Sequence, residues 1–161
     1  MTEMELVGVR VEMPTNTPIA LLRECGGDRR LLPIFIGGPE ATAIAFAMEE
    51  VTTPRPMTHD LMRNLLDELG VSLERLDITD LRDGTFFSEL VLHGHDGIHR
   101  VSSRPSDGIA LALRTGSPIF AEESVLAEAG YLEATAEEPE EEVVEQFKEF
   151  IDSVNPEDFA S

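Results

Sequence analysis

The chain has no tryptophan, one tyrosine, one cysteine and a single lysine, Lys148, among 161 residues. Each shortage narrows what it can do. One cysteine permits no internal disulfide, which fits a reducing compartment, and cannot build a multi-cysteine zinc site. That residue, Cys25, stands beside Gly26-Gly27 at the end of a candidate strand; a small strand-end residue is the plain reading, and a nucleophilic role has little support. Without tryptophan, and with Tyr131 alone, the residues for a broad base-stacking platform are missing. Phe86 and Phe87 offer at most a small one, because neighbours on a strand point to opposite faces. No apolar run approaches the roughly 20 residues that a membrane-spanning helix needs. The opening Met1-Thr2-Glu3-Met4-Glu5 is acidic and unlike a secretory leader, so the expected compartment is the cytoplasm. Gly37-Gly38 is too short for a phosphate-cradling loop and no Lys-Ser/Thr follows it; a nucleophile elbow is also missing.

What the chain has in excess is acid: 32 Asp and Glu against 12 Lys and Arg, a net charge of −20. That balance opposes simple nucleic-acid binding, in which cationic side chains neutralise phosphates. It leaves room for a hydrolase whose carboxylates hold a divalent cation, since the cation then supplies the positive charge. Half of the excess lies in the last fifth of the chain. Residues 131–161 carry eleven acids against Lys148, and residues 1–130 carry 21 against eleven arginines. Arginine's planar fork suits carboxylate or phosphate, although codon bias alone would also account for the count. With 42% hydrophobic residues there is material for a real core. The division expected is a main domain over 1–130 and an acidic linker and helix over 131–161.

The pattern along the main domain predicts an α+β fold, with antiparallel strands and three main helices packed on them. Leu6 to Val11, Ile19 to Leu22 and Leu31 to Ile36 are apolar runs separated by turn residues, which reads as a three-stranded meander. A helix opens at Pro39-Glu40 and carries Ala41, Ile44, Ala45 and Met48 on one face. A second starts near Thr58 with an apolar stripe of Leu61, Leu65, Leu66 and Leu69, and Gly70 stops it. Val71–Ile78, Phe86–Leu92 and Ile98–Ser102 are strand candidates, with Asp83-Gly84 and Gly94–Gly97 as turns. A third helix follows Arg104-Pro105-Ser106; Ile119-Phe120 is a short strand, and Glu122–Ala129 a short helix. Beyond the main domain, Pro139 and Glu140-Glu141-Glu142 form a helix start, and Val143, Phe147, Phe150, Ile151 and Val154 repeat at helical spacing. That segment is expected to be an acidic C-terminal amphipathic helix, docked on its own domain or on a neighbouring subunit.

Three helix starts share a grammar. Pro39 precedes Glu40; Arg55-Pro56 precedes Thr58-His59-Asp60; Arg104-Pro105 precedes Ser106-Asp107. A helix N-terminus gathers free N–H groups and the positive end of the dipole, which attract anions, and a nearby arginine strengthens a phosphate site. The same residues also serve as ordinary caps and ion pairs, and for any single acid that plainer role is the more frequent one. His59 tilts the second start towards chemistry, because imidazole can ligate metal or move protons. The cluster His93-Gly94-His95-Asp96-Gly97-Ile98-His99 holds enough ligands for a transition metal, but its glycines suit an exposed hairpin tip, which is the favoured reading.

Leu32-Pro33-Ile34-Phe35-Ile36-Gly37 with Glu40-Ala41, then Arg55-Pro56-Met57-Thr58-His59-Asp60-Leu61, then Arg104-Pro105-Ser106-Asp107-Gly108-Ile109-Ala110-Leu111-Ala112, resemble three ordered signatures of the bifunctional nuclease (DNase/RNase) domain family of bacteria and plants. The resemblance covers about residues 4–130 and leaves out the acidic tail. It implies an α+β domain, assembly as a homo-oligomer and hydrolysis of phosphodiester bonds in both DNA and RNA. The histidine cluster at 93–99 is not part of it.

Two readings follow. In the first the protein is a metal-assisted nuclease. Glu40, Asp60 and Asp107 are then metal ligands or base candidates for a divalent cation such as magnesium or manganese. His59 is ligand or general acid/base, and Arg55 and Arg104, with Thr58 and Ser106 beside them, hold phosphate. This requires the three helix starts to meet in one cleft. In the second the protein is a non-catalytic oligomeric module. Its Arg–Asp pairs fix helix starts or subunit contacts, and its acidic tail recruits a protein partner. Membrane association belongs to neither reading.

Overall fold

In the computed structural model, which describes residues 1–133, the opening meander forms as expected. β1 (Thr2–Glu12), β2 (Thr17–Glu24) and β3 (Leu31–Phe35) pair antiparallel, with Leu6 opposite Leu22 and Ala20 opposite Ile34. Alternation along the strands puts Val9, Ala20, Leu22, Leu32 and Ile34 into the core. A second row, Arg10, Ile19 and Phe35, lies across the other face.

α1 (Gly38–Met48) and α2 (Thr58–Glu68) follow, then the antiparallel strands β4 (Ser72–Arg82), β5 (Thr85–Gly94) and β6 (Gly97–Ser103). The β4–β5 turn takes Asp83 and Gly84 at φ 50° and 78°, the two left-handed positions that a tight hairpin turn requires. α3 (Pro105–Thr115), β7 (Ile119–Ala121) and α4 (Glu123–Ala129) complete the described elements. The histidine cluster forms the β5–β6 hairpin tip: His99 meets Asp96 at 2.7 Å, and both side chains are more than half exposed.

The seven strands of the described residues join one sheet, in the order β3-β2-β1-β7-β4-β5-β6. The expected antiparallel pairing holds except at one seam, where β7 runs antiparallel to β1 but parallel to β4. This three-residue strand welds the two meanders together. A parallel neighbour needs a crossover, and α3, leading into β7, provides it.

Helix burial departs from a simple one-face pattern. Ala41 to Phe46 of α1 are all buried, because its small side chains let α3 pack against it. α3 in turn lies close on the sheet: a Cβ added at Gly108 would sit 2.4 Å from Leu76 Cδ1. α2 packs on the core through Met62 and Leu66, whereas Leu61, Leu65 and Leu69 of the expected stripe are exposed. Among the described residues no helix is long and apolar enough to cross a membrane. The acidic segment over 139–154 lies outside the described residues.

One buried charge ties the fold's edge together. Glu24, 4% exposed, accepts from the Arg30 backbone N–H at 2.7 Å and from its guanidinium at 2.9 and 3.0 Å; Arg30 also reaches Glu123 of α4 at 2.8 Å. The side-chain hydrogen bond from Arg30 outweighs burial and holds the Glu24 carboxyl below its ordinary range. A folded-state value below the unfolded one stabilises the fold above the unfolded value, and this stability drains as pH falls through the folded value. Arg30→Met is therefore expected to lower Tm at neutral pH. Its Tm should then fall less steeply than that of the wild type on acidification below about pH 4.3, the ordinary glutamate value. Thermal melts across that range check this, and parallel curves would contradict it.

Candidate functional site

Arg104 is the N-cap of α3 in extended conformation, with Pro105 behind it and Asp107 in the first turn. Gly37 holds the same place before α1, whose first turn carries Glu40. Because α1 and α3 pack together, the two starts lie side by side, and the Arg104 guanidinium bridges them. It hydrogen-bonds the Glu40 carboxylate and donates to Asp107 Oδ2 from Nε at 3.0 Å and from Nη2 at 2.8 Å. The other Asp107 oxygen meets His59 Nε2 at 2.8 Å, from the first turn of α2. Glu40, Arg104, Asp107 and His59 thus form one continuous chain across three helix starts.

Exposure is graded along that chain. The Arg104 side chain is 65% exposed, Asp107 27%, Glu40 13% and His59 8%. The hydrogen bonds to Glu40 and then Asp107 raise Arg104 further above its already high range, so it is a permanent cation. The imidazole is buried with its Nε2 on a carboxylate, which selects the tautomer protonated there and leaves Nδ1 as the basic nitrogen.

Asp60 faces elsewhere. Its Oδ1 accepts from Arg114 Nε at 2.6 Å, and its Oδ2 accepts the Met57 N–H at 3.0 Å, closing the start of α2. Burial pushes its carboxyl up, but the hydrogen bonds from Arg114 and Met57, with the charges of Arg114 and Arg63, leave it below the ordinary range. The helix starts therefore converge, while the three carboxylates Glu40, Asp60 and Asp107 do not form one cage. Among the described residues no group of three or more His, Cys, Asp or Glu side chains is placed to hold a metal ion.

Two depressions border these residues. One, of about 510 Å³, is lined by Arg55, Pro56, Asp60, Arg63 and Arg114 together with Phe46 of α1. The other, of about 330 Å³, is lined by Gly37, Arg104, Ser106, Phe86 and Phe35. Thr58 is exposed at the start of α2, and Ser106 is 5% exposed. Cys25 stays apart from both; partial desolvation and the charges of Glu3 and Glu5 push its thiol up, away from a reactive thiolate.

Two groups escaped the sequence reading. Arg114, in the last turn of α3, belongs to none of the three helix-start motifs, yet it lies two turns after Asp107 and so on the same face, which is a usable signal. Asp77, 2% exposed, is held by Arg75 at 2.8 Å and approached by Arg100 at 3.5 Å. Its partner Arg100 lies on β6, two strands away, a neighbour that strand periodicity does not name.

Residues 20–134 match the bifunctional nuclease domain. An uncharacterized protein of Mycobacterium tuberculosis is 52% identical over 166 residues, covering 99% of this chain and 98% of its own length. "Bifunctional nuclease 1" of Oryza sativa subsp. japonica is 26% identical over 104 residues, 63% of this chain and 31% of its own. The Arabidopsis thaliana protein of the same name is 27% identical over 105 residues, 63% of this chain and 32% of its own. The chain therefore spans about a third of the length of either plant protein. With the domain match spanning most of its length, and with the three motif-bearing helix starts drawn to one place, the chain belongs to the bifunctional nuclease domain family.

Proposed function

We propose that the protein hydrolyses phosphodiester bonds of DNA and RNA at the cluster of Glu40, Arg104, Asp107 and His59. The observation that carries this reading is the exposed Arg104 guanidinium, oriented by one carboxylate from each of two helix starts and followed by a buried His–Asp pair. Phosphate meets the outer edge of Arg104 and the positive ends of α1 and α3, which offset the two carboxylates. His59, aligned by Asp107, takes the proton from the attacking water as its oxygen bonds to phosphorus; the ester P–O bond on the opposite side breaks, and the leaving alkoxide takes a proton from solvent water. Arg104 stabilises the charge that grows on the phosphoryl oxygens. Arg55, beside the larger depression, supports a role in holding a neighbouring phosphate.

Divalent metal fits the arrangement poorly. Arg104 lies between the two carboxylates a cation would bridge, and Asp60 is engaged by Arg114. No step above is therefore routed through metal. The exposed Leu61, Leu65 and Leu69 of α2 support assembly as a homo-oligomer.

A second reading has its own support. Glu40 and Asp107 are paired with Arg104, and Asp60 with Arg114, as a non-catalytic module with fixed helix starts requires. Cleavage of single-stranded DNA and RNA by highly purified protein separates the two, measured with magnesium, manganese or EDTA beside Arg104→Met. Loss of one charge-stabilising donor should lower the rate about 10²–10³-fold. Because Arg104 is mostly exposed, Tm should fall little, as exposed ion pairs contribute about 0–1 kcal/mol. Cutting at the wild-type rate by the folded variant would sink the proposed site. No cutting by the wild type under any condition would favour the binding module. Cutting only with magnesium or manganese would show that the cluster opens to recruit a cation.

A further inference from the structure

The face of β1–β3 turned away from the core is not an ordinary solvated face. Ile19, Leu21 and Leu31 are 7%, 3% and 3% exposed, yet none belongs to the core cluster. With Pro33, Phe35, Tyr131, Arg10 and Glu12, the first two line a groove of about 230 Å³. Phe35 and Tyr131 remain 61% and 42% exposed at its border. Polar side chains are expected on a strand face that water covers, so a row of buried apolar residues there calls for a cover.

The chain itself arrives at this groove. Tyr131 pairs with Leu31 through two backbone hydrogen bonds, at 2.8 and 2.9 Å, and Glu133 lies 3.9 Å from Arg23 of β2. The described residues stop at that point, and 28 more follow in the sequence. Among those, the apolar positions 143, 147, 150, 151 and 154 recur at helical spacing on a strongly acidic background. Six residues from Glu133 reach about 20 Å, enough to place residue 139 along most of the groove's edge. A helix over 139–154 would be about 24 Å long, close to the roughly 27 Å of an eight-residue strand such as β2. Arg10 within the groove and Arg23 at its end are opposite in charge to the acidic flanks and so complement them. The short tether favours this chain's own segment over a second copy, because it holds the segment at millimolar effective concentration.

We infer that residues 139–154 dock as an acidic amphipathic helix in the apolar groove on the outer face of β1–β3 of their own chain, with Phe147 and Phe150 against Phe35, Ile19 and Leu21. The occupant is thus a permanent part of the domain rather than a recruiting arm.

Hydrogen–deuterium exchange of the full chain, followed by mass spectrometry, tests this with three proteins: wild type, Phe35→Ser in the groove and Leu65→Ser on the exposed stripe of α2. In the wild type, amides of 143–154 should be protected, and protection should be unchanged on hundredfold dilution. Phe35→Ser should lower it by roughly tenfold, the factor for losing one buried aromatic contact. Exchange in β4 and β5 should stay at the wild-type rate, which shows that the sheet is intact. Leu65→Ser should leave the segment protected. Free exchange of 143–154 in the wild type would overturn the inference. So would protection that disappears on dilution, which would place the segment on a second copy, or release by Leu65→Ser in place of Phe35→Ser, which would place it on α2.

Discussion

His59→Gln is expected to lower the rate of nucleic-acid cleavage by about 10²–10⁴-fold, the range for removing a positioned general base, while the fold survives. The glutamine amide reaches about as far as the imidazole and keeps a donor for Asp107, so the 2.8 Å hydrogen bond is replaced and not merely deleted. What disappears is the second, basic nitrogen. Asp107→Asn removes the opposite half of the pair: it keeps the shape, stops selecting the imidazole tautomer and weakens the hold on Arg104. If the two residues act as a unit, the double variant should be no slower than His59→Gln alone, because catalytic groups that work together are strongly non-additive. Single-turnover rates for the four proteins, with Tm measured beside each, give the cycle. Folded His59→Gln that cuts as fast as the wild type would reduce the His59–Asp107 pair to a strut between α2 and α3. Multiplicative losses would mean that the two residues act at separate steps.

Most of the fold was legible because its signals are local. Proline and an acid marked the starts of α1 and α3, Asp83-Gly84 marked the β4–β5 turn, and the spacing of the first three apolar runs gave the β1–β2–β3 meander. What stayed hidden depends on which elements meet. Nothing near Ile119-Phe120-Ala121 says that this short strand lies between β1 and β4 and runs parallel to the latter. Periodicity grouped Leu61, Leu65 and Leu69 with Leu66, yet the helix turns only part of that stripe inwards, because α3 and β4 occupy a single side of it.

The candidate site divides in the same way. That Glu40, His59, Arg104 and Asp107 belong together could be read from the repeated helix-start grammar, since three such starts had a reason to converge. Which acid pairs with which arginine could not. Asp60 and Asp107 look equivalent in sequence, each in a first turn and each downstream of an Arg-Pro pair. Helix phase separates them. His59 occupies the position on α2 that faces Asp107, so Asp60, one residue on, is rotated by about 100° towards Arg114. A three-carboxylate site was a reasonable expectation from spacing along the chain, and the rotation between neighbouring helical residues is what separates its members. The net charge of −20 was the feature least able to discriminate, since the local field at Arg104 is set by two carboxylates and two helix ends, not by the sum over the chain.

Gly108→Val, outside the cluster, should cost about 3 kcal/mol, the upper end of the range for overpacking a close-packed core. Within a helix glycine is unfavourable by about 1 kcal/mol relative to alanine, so its presence at the fourth position of α3 needs a compensating reason. Leu76 provides it. A Cβ at position 108 would lie 2.4 Å from Leu76 Cδ1 and 2.9 Å from Cδ2, and Leu76 is itself fully buried on β4. Neither side can yield alone, because α3 is held by α1 and α2, and β4 lies between β7 and β5. Leu76→Ala by itself should cost about 2–5 kcal/mol through the cavity it leaves. Combined, the valine methyls fill part of that cavity, so the double variant should be more stable than the sum of the two losses by on the order of 2 kcal/mol, as coupled neighbours allow. Urea unfolding of the four proteins measures the coupling, and strictly additive losses would show that the close approach of α3 to β4 is not what fixes glycine here. The same contact bears on the site. Asp107 precedes Gly108 directly, so a helix lifted off Leu76 carries Asp107 away from His59. In Gly108→Val, cleavage should therefore fall at temperatures where the protein is still folded, and the double variant should recover part of it.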